Sequence, residues 1–340
     1  GAGTQVNKFN IVTQGARQPG SGFKLFTLLS ALAQGDSVFD TVDGQSPCAI
    51  AFPGNIGFVQ HPAVNDAPAG VVNLVSATAS SINCAYLRLA HEVGLQNVAN
   101  MAKALGVTEN LQVVPAMVLG ADAVRPIEMA AAYATVADGG VYHKPSFVDH
   151  IVDRTGATIY AGGDPGHQVF SAQVAEEATV ALRAVVQYGT ATEAALPYRE
   201  VAGKTGTTTD SVDAWFNGFT PQLETTVWMG NLQGEVPMYG VIGVGEVYGG
   251  TVPAHTWHDF MNLALANQPV LNFTPPNYAL LPYPKYITSP SLVQDDVLDH
   301  NYAYTAPPVV VPPPVSTLTT PTSTPGSTPP TSGPGRGRRP

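Results

Sequence analysis

Four strand-like runs crowd into the stretch from Val201 to Gly245: "VAGKTGT", "AWFNGFTP", "ETTVWMGN" and "YGVIGVG". Only short turns separate them. Parallel neighbours would need crossovers of a dozen or more residues, so runs this close pair antiparallel. What precedes them is mostly helical in pattern. Residues 21–34 read as a helix that starts after Pro19-Gly20 and stops at Gly35. Residues 71–93 read as two short helices around "SSINCAY". "RPIEMAAAYATVADGG" has Pro126 in its first turn, an Ala-rich body and a Gly-Gly stop. Another helix is expected from Ala172 to Tyr188, and "AHTWHDFMNLALA" follows the strands as a last one. Helices first and strands second predict an α+β fold, an antiparallel sheet flanked by helices, and not a doubly wound parallel sheet.

The foldable part ends well before residue 340. From Ala306 the chain reads "APPVVVPPPVSTLTTPTSTPGSTPPTSGPGRGRRP", without apolar periodicity. Such a stretch cannot bury enough apolar surface to offset its ordering entropy, so residues 306–340 are expected to be a disordered tail. Residues 273–305, rich in Pro and Tyr, read as an irregular extension, and 1–272 as the globular domain. The formal net charge of −10 argues against a nucleic-acid surface. There is no run of about 18 apolar residues to span a membrane and no signal peptide, so any export signal is expected on sequence outside this chain. The two cysteines, Cys48 and Cys84, leave one bridge and two separate buried thiols equally open.

Three short patterns carry chemistry. Ser21 and Lys24 stand three apart, on one face of the expected helix. A serine hydroxyl is a weak nucleophile until a base takes its proton. A lysine serves only when neutral, which burial and a neighbouring cation promote. The bland reading is a capping serine beside an exposed lysine. Ser81 and Asn83, in "SSINC", can bring a hydroxyl and a carboxamide into one cleft, or simply cap a helix. Lys204, Thr205, Gly206 and Thr207 offer a strand edge with a positive charge, two hydroxyls and a glycine that lets a ligand backbone approach; the alternative is an ordinary hairpin edge.

Taken together and in this order, S-x-x-K, S-x-N and K-T-G resemble the motif set of penicillin-binding proteins and class A β-lactamases. "NKFNIVTQGARQPGSGFKLF", "LGADAVRPIEMAAAYATVADGGVYHKP", "AGKTGTTTDSVDAWFNGFTPQLETTVWMGN" and "YGGTVPAHTWHDFM" are similar to blocks of the transpeptidase domain of class A, bifunctional penicillin-binding proteins, in that family's order. The likeness runs from about Asn7 to Met261, and the Pro-rich tail resembles those of actinobacterial members. The resemblance implies a penicillin-binding-protein/serine β-lactamase-like transpeptidase fold and a D,D-transpeptidase that cross-links peptidoglycan stem peptides through a Ser21 acyl-enzyme, with D,D-carboxypeptidase activity on the side. By likeness Lys24 takes the Ser21 proton, Ser81 relays a proton with Lys204 behind it, and Asn83 holds the substrate amide and positions Lys24. Thr205 and Thr207 would bind the substrate carboxylate along the Gly206 edge, and the N–H groups of Ser21 and Thr207 would form the oxyanion hole. β-Lactams would acylate Ser21. No cofactor or metal is implied. The implied setting is extracytoplasmic, with glycan strands and stem peptides as partners, and with a glycosyltransferase domain and membrane anchor upstream.

Two positions depart from the family pattern: Gly22 follows the nucleophile and Leu25 follows the lysine. Family domains also place the first strands of the central sheet well before the nucleophile. Only twenty residues precede Ser21 here, so those strands are expected from sequence outside the chain or from another chain, or else the sheet is incomplete. A serine β-lactamase would need a deacylating glutamate, and none lies between Val113 and Pro126. A non-catalytic penicillin-binding sensor or scaffold would not need S-x-N and K-T-G intact. His255 and His258 have marginal metal-ligand spacing and read as ordinary surface or packing histidines. "GVGEVYGG" misses phosphate-loop spacing and reads as strand and turn. Trp215, Phe216 and Phe219 are expected in the core of the strand beside K-T-G.

Overall fold

The computed structural model describes residues 8–54, 56–60, 69–232 and 234–289. Contacts divide the chain into units 1–302 and 303–340, and the tail from Ala306 lies outside the described residues. The single turn α1 (Ile11–Gln14) is capped by Asn10, whose side chain accepts from the Val12 N–H. A 3-10 turn, Gly20–Phe23, then runs directly into α2 (Lys24–Ala33). The helix expected from residue 21 is therefore present, with a tightened first turn. Every residue of α2 from Lys24 to Leu32 is buried. A helix without a polar face belongs in the middle of a fold, and this one takes its lysine in with it.

Four short strands follow: β1 (Thr41–Asp43), β2 (Cys48–Phe52), β3 (Ile56–Gln60) and β4 (Val71–Asn73). The two helices expected over 71–93 are α3 (Leu74–Ala79) and α4 (Asn83–Val93), with residues 71–73 in β4 instead. Asn73 ends the strand and starts the helix, because its side chain accepts from the Ser76 N–H. Next come α5 (Leu95–Ala104), α6 (Pro115–Val118) and α7 (Pro126–Ala137). Pro126 starts α7 as expected, and Glu128 reaches back to accept from the Arg125 N–H at 3.2 Å. After it, β5 (Val141–Tyr142), β6 (His150–Val152), β7 (Thr158–Ala161) and β8 (His167–Gln168) pair as β5 with β8 and β6 with β7. The long helix α8 (Ala172–Gln187) leads to the sheet.

Three of the expected strands form that sheet: β9 (Ala202–Thr207), β10 (Asp213–Phe219) and β11 (Glu224–Gly230), antiparallel in the order β11-β10-β9. The fourth run, "YGVIGVG", is not a strand. It holds a 3-10 turn at Val241–Gly243, and Gly240 and Gly243 take positive φ (64° and 79°), which an extended strand does not accommodate. The helix α9 (Val252–Ala264) closes over the sheet. Residues 273–289 then run back to α2's far end, where β12 (Tyr286–Ile287) pairs parallel to β1.

The middle strand shows why the sheet sits where it does. Trp215 and Phe219 on one face of β10 join the main core with α2, α4, α7 and α8. Phe216 on the opposite face packs in a second cluster with Trp257 of α9, ring edge to ring face at 5.3 Å. Burial on both faces explains the large apolar side chains on each side of β10 and leaves β9 as the edge where chemistry can be placed.

Candidate active site

Ser21 sits in the 3-10 turn immediately ahead of α2, half-buried, and Lys24 is the first residue of the α-helix. The turn is held from several sides. Tyr133 of α7 donates its hydroxyl to the Gly22 carbonyl at 2.9 Å. Trp215 of β10 donates its indole N–H to the Gln18 carbonyl at 2.7 Å. Arg17 exchanges backbone hydrogen bonds with Val124, and its guanidinium lies over the Trp228 ring and donates to the Asn231 carbonyl.

Lys24 is fully buried, with 0% of its surface exposed. Its Nζ donates to Asn83 Oδ1 at 2.6 Å, to the Ser81 carbonyl at 2.7 Å and to Ser81 Oγ at 3.2 Å. One lysine thus gathers both polar residues of the S-x-N pattern. The backbone makes this geometry available. Ser81 is in the left-handed region (φ 57°), between the end of α3 and the start of α4. A non-glycine residue there costs of order 1 kcal/mol or more, and such strain gathers at functional sites. Its carbonyl and its hydroxyl both face the lysine. Lys24 Nζ also lies 5.3 Å from the Tyr86 ring centroid.

Lys204 of β9 completes the line. Its Nζ donates to Ser81 Oγ at 2.8 Å and to the Thr205 carbonyl at 3.1 Å, with Thr205 Oγ1 at 3.4 Å. Burial first, and the nearby Lys24 charge second, hold Lys204 well below the ordinary lysine value. Ser81 Oγ therefore stands between two lysine nitrogens. The end of β9 packs backbone to backbone against the turn that bears Ser21. A Cβ at Gly206 would lie 2.1 Å from the Pro19 carbonyl oxygen, and one at Gly20 would lie 2.6 Å from the Thr207 oxygen and 2.9 Å from its nitrogen. Glycine at both positions is what brings the Thr207 amide beside the turn bearing Ser21.

The structure thus brings Lys24, Ser81, Asn83, Lys204 and Thr205 into one hydrogen-bonded group, with Ser21, Gly206 and Thr207 adjoining it through the backbone. Three contributors were not legible as site residues. Thr190 pairs with Thr205, hydroxyl to hydroxyl, at 2.7 Å. The Gly249 N–H donates to Thr207 Oγ1 at 3.0 Å, from the segment read only as strand and turn. Tyr133 looked like one more residue of an Ala-rich helix. The glutamate nearest the Val113–Pro126 stretch, Glu128, is buried and occupied: its carboxylate accepts from Thr108 (2.6 Å from the hydroxyl) and from the Arg125 N–H. His255 and His258 stack 6.2 Å apart, His255 facing Asp259 and Glu193 and His258 bonded to the Ala195 carbonyl. Among the described residues no group of three or more His, Cys, Asp or Glu side chains could hold a metal ion.

A buried lysine between two serine-bearing turns, beside a K-T-G edge, is the arrangement that the resemblance to the penicillin-binding class implies. The family model described as "Penicillin binding protein transpeptidase domain" matches residues 3–240, and the chain belongs to that family. Penicillin-binding protein 1A of Mycobacterium tuberculosis is 32% identical over 287 residues, covering 77% of this chain and 34% of the relative. Penicillin-binding protein 1A of Aquifex aeolicus is 36% identical over 225 residues, covering 66% of this chain and 31% of the relative. The chain therefore spans about a third of the length of these relatives. Among solved structures, the penicillin-binding protein PonA1 from Mycobacterium tuberculosis superposes with a TM-score of 0.71 at 30% identity, covering 86% of this chain and 80% of that one. The same protein in complex with penicillin V gives 0.66 at 30% identity, covering 84% and 76%.

Proposed function

We propose that this chain is the D,D-transpeptidase unit of a peptidoglycan cross-linking enzyme. Ser21 Oγ attacks the carbonyl of the penultimate D-Ala of a stem peptide while Lys24, in its neutral amine form, takes the hydroxyl proton. The N–H groups of Ser21 and Thr207 receive the developing oxyanion. Ser81, between the two lysines, passes a proton to the leaving nitrogen, the C–N bond breaks, and the terminal D-Ala departs. That leaves an ester on Ser21. An amine of a neighbouring stem attacks the ester, forms the cross-link and returns the proton to Ser21; water in its place gives carboxypeptidase activity. Asn83 keeps Lys24 aimed and holds the substrate amide. Thr205 and Thr207, on either side of Gly206, bind the terminal carboxylate, and Lys204 contributes its field. β-Lactams present the same carbonyl and carboxylate and acylate Ser21. The work belongs outside the cytoplasm, where glycan strands and stem peptides are, beside a glycosyltransferase domain and membrane anchor carried on other sequence. The relatives named penicillin-binding protein 1A and the penicillin V complex of PonA1 support this reading.

One observation carries it: the continuous line Asn83–Lys24–Ser81–Lys204, with contacts of 2.6, 3.2 and 2.8 Å, beside a nucleophile turn. A fluorescent penicillin should label the chain at Ser21 and nowhere else. Ser21→Ala should stay folded and take no label, and Lys24→Ala should be labelled at least a hundred-fold more slowly, given the usual ~10²–10⁴ contribution of a general base. Labelling at another serine would overturn the assignment. Formation of cross-linked product from polymeric peptidoglycan precursor separates the enzyme from a scaffold that is acylated once and stops.

A further inference from the structure

Thr190 lies just beyond α8 and touches three separate parts of the site. Its N–H donates to the Ala79 carbonyl at 3.1 Å, two residues before Ser81. Its hydroxyl lies 2.7 Å from Thr205 Oγ1. Its carbonyl faces the backbone of Gly250, where an added Cβ would come within 2.1 Å. The residue before Gly250 is Gly249, whose N–H donates to Thr207 Oγ1. The turn at 190 is where the Ser81 loop, the K-T-G edge and the loop behind Thr207 meet.

Counting protons on the two edge hydroxyls gives this junction a role. A hydroxyl has one proton to donate and two lone pairs to accept with. Thr207 Oγ1 already accepts from the Gly249 N–H, so its proton is left for a ligand. Thr205 is in a different position. It is nearly buried, and its oxygen has two neighbours, Thr190 at 2.7 Å and the Lys204 nitrogen at 3.4 Å. If Thr205 gives its proton to Thr190, it has nothing to offer a carboxylate. If Thr190 donates instead, Thr205 accepts, and its own proton is left for a ligand, as that of Thr207 is. A carboxylate is a much stronger acceptor than a neutral hydroxyl, so its arrival selects the second arrangement.

We propose that Thr190 is a positioning residue for recognition of the substrate's terminal carboxylate, donating its hydroxyl to Thr205 so that Thr205 and Thr207 present two parallel donors. The proposal rests on the reading above in which those two threonines bind the carboxylate. Thr190 does not touch the reacting atoms. Its effect should follow the carboxylate and not the acyl transfer itself.

The test uses the 340-residue chain and measures the second-order rate of Ser21 acylation by benzylpenicillin and by its methyl ester, which lacks the anionic oxygen. Thr190→Val keeps the shape and loses the hydroxyl. It should lower the benzylpenicillin rate roughly ten-fold, the size of one lost hydrogen bond to a charged partner's donor, while changing the ester rate by less than about two-fold. Thr190→Ser should restore most of the loss, and the loss should fall in the concentration dependence and not in the limiting rate. Equal losses on both compounds would mean a general structural role, and no loss on either would mean a bystander; each overturns the proposal. If Thr190→Val does not fold, Thr190→Ala is read by the same ratio. A wild-type chain that neither compound acylates would remove the reading beneath the proposal. A wild-type chain that is acylated, with an unmoved ratio in the variant, would remove the role of Thr190 alone.

Discussion

At the scale of single residues, the site is a problem of two buried lysines sharing one hydroxyl. Lys204 is 1% exposed and held well below the ordinary lysine value of 10.5 by burial and by Lys24. The sign of the consequence follows. Below pH 10.5 an unfolded lysine holds a proton that the folded one releases more readily, so the unfolded chain binds more protons there. Stability from this group therefore rises as pH climbs toward 10.5 and is lost as pH falls toward the depressed folded value. Lys204→Met removes that dependence. The difference in melting temperature, variant minus wild type, should move in the variant's favour as pH is lowered from 10.5; a difference flat in pH would mean that Lys204 is not desolvated. The residues of this group were legible in the sequence because each motif is compact along the chain. Lys24 stands three after Ser21, Asn83 two after Ser81, and Thr207 three after Lys204. Thr190 was not legible. A lone threonine after a helix looks like any C-terminal turn, and its partner is 15 residues away on a strand.

At the scale of elements, long and strongly patterned segments were legible and short ones were not. The helices α7 and α8 and the strands β9 to β11 fall where the sequence places them. β1 and β4, three residues each, carry too few side chains to show an alternation. "YGVIGVG" is rich in β-branched residues but fails through its glycines, which buckle the backbone a strand would extend. The pairing of Cys48 with Cys84 is a second element-scale fact that sequence left open. The bridge, with Cα atoms 5.8 Å apart, ties β2 to the first turn of α4, directly after Asn83. It closes a separation of 36 residues. In the chain-entropy model a loop of that size stabilises by about 4 kcal/mol. Reduction, or the Cys48→Ala/Cys84→Ala pair, should lower stability in urea by about 2–4 kcal/mol. Identical urea midpoints for reduced and oxidised chain would contradict the bridge.

At the scale of the molecule, the expected boundary at residue 272 can be weighed against what residues 273–289 do. The Phe273 ring meets Phe219 of β10 edge to face at 5.5 Å, and its N–H donates to Glu200 at 2.8 Å. Further on, the Lys285 carbonyl accepts from the Thr41 N–H, its own N–H donates to Asp40, and its ammonium pairs with Asp36 at 2.6 Å. Asp36 is 5% exposed, and Ile287 of β12 is 2% exposed within the main core. This strap supports the loop that follows α2, the helix whose first residue is Lys24. The tail beyond has no apolar periodicity with which to do the same. Two truncations therefore should differ sharply. Ending the chain at Pro307 should leave the melting temperature and the β-lactam acylation rate essentially unchanged. Ending it at residue 272 removes Ile287, worth about 2 kcal/mol of apolar burial, and strands a nearly buried carboxylate, so stability should fall by roughly 2–4 kcal/mol. Chemical denaturation of both, beside the full chain, decides the matter. A strong loss on ending at Pro307 would show that the tail packs on the domain, and no loss on ending at 272 would show that the strap contributes nothing to the fold.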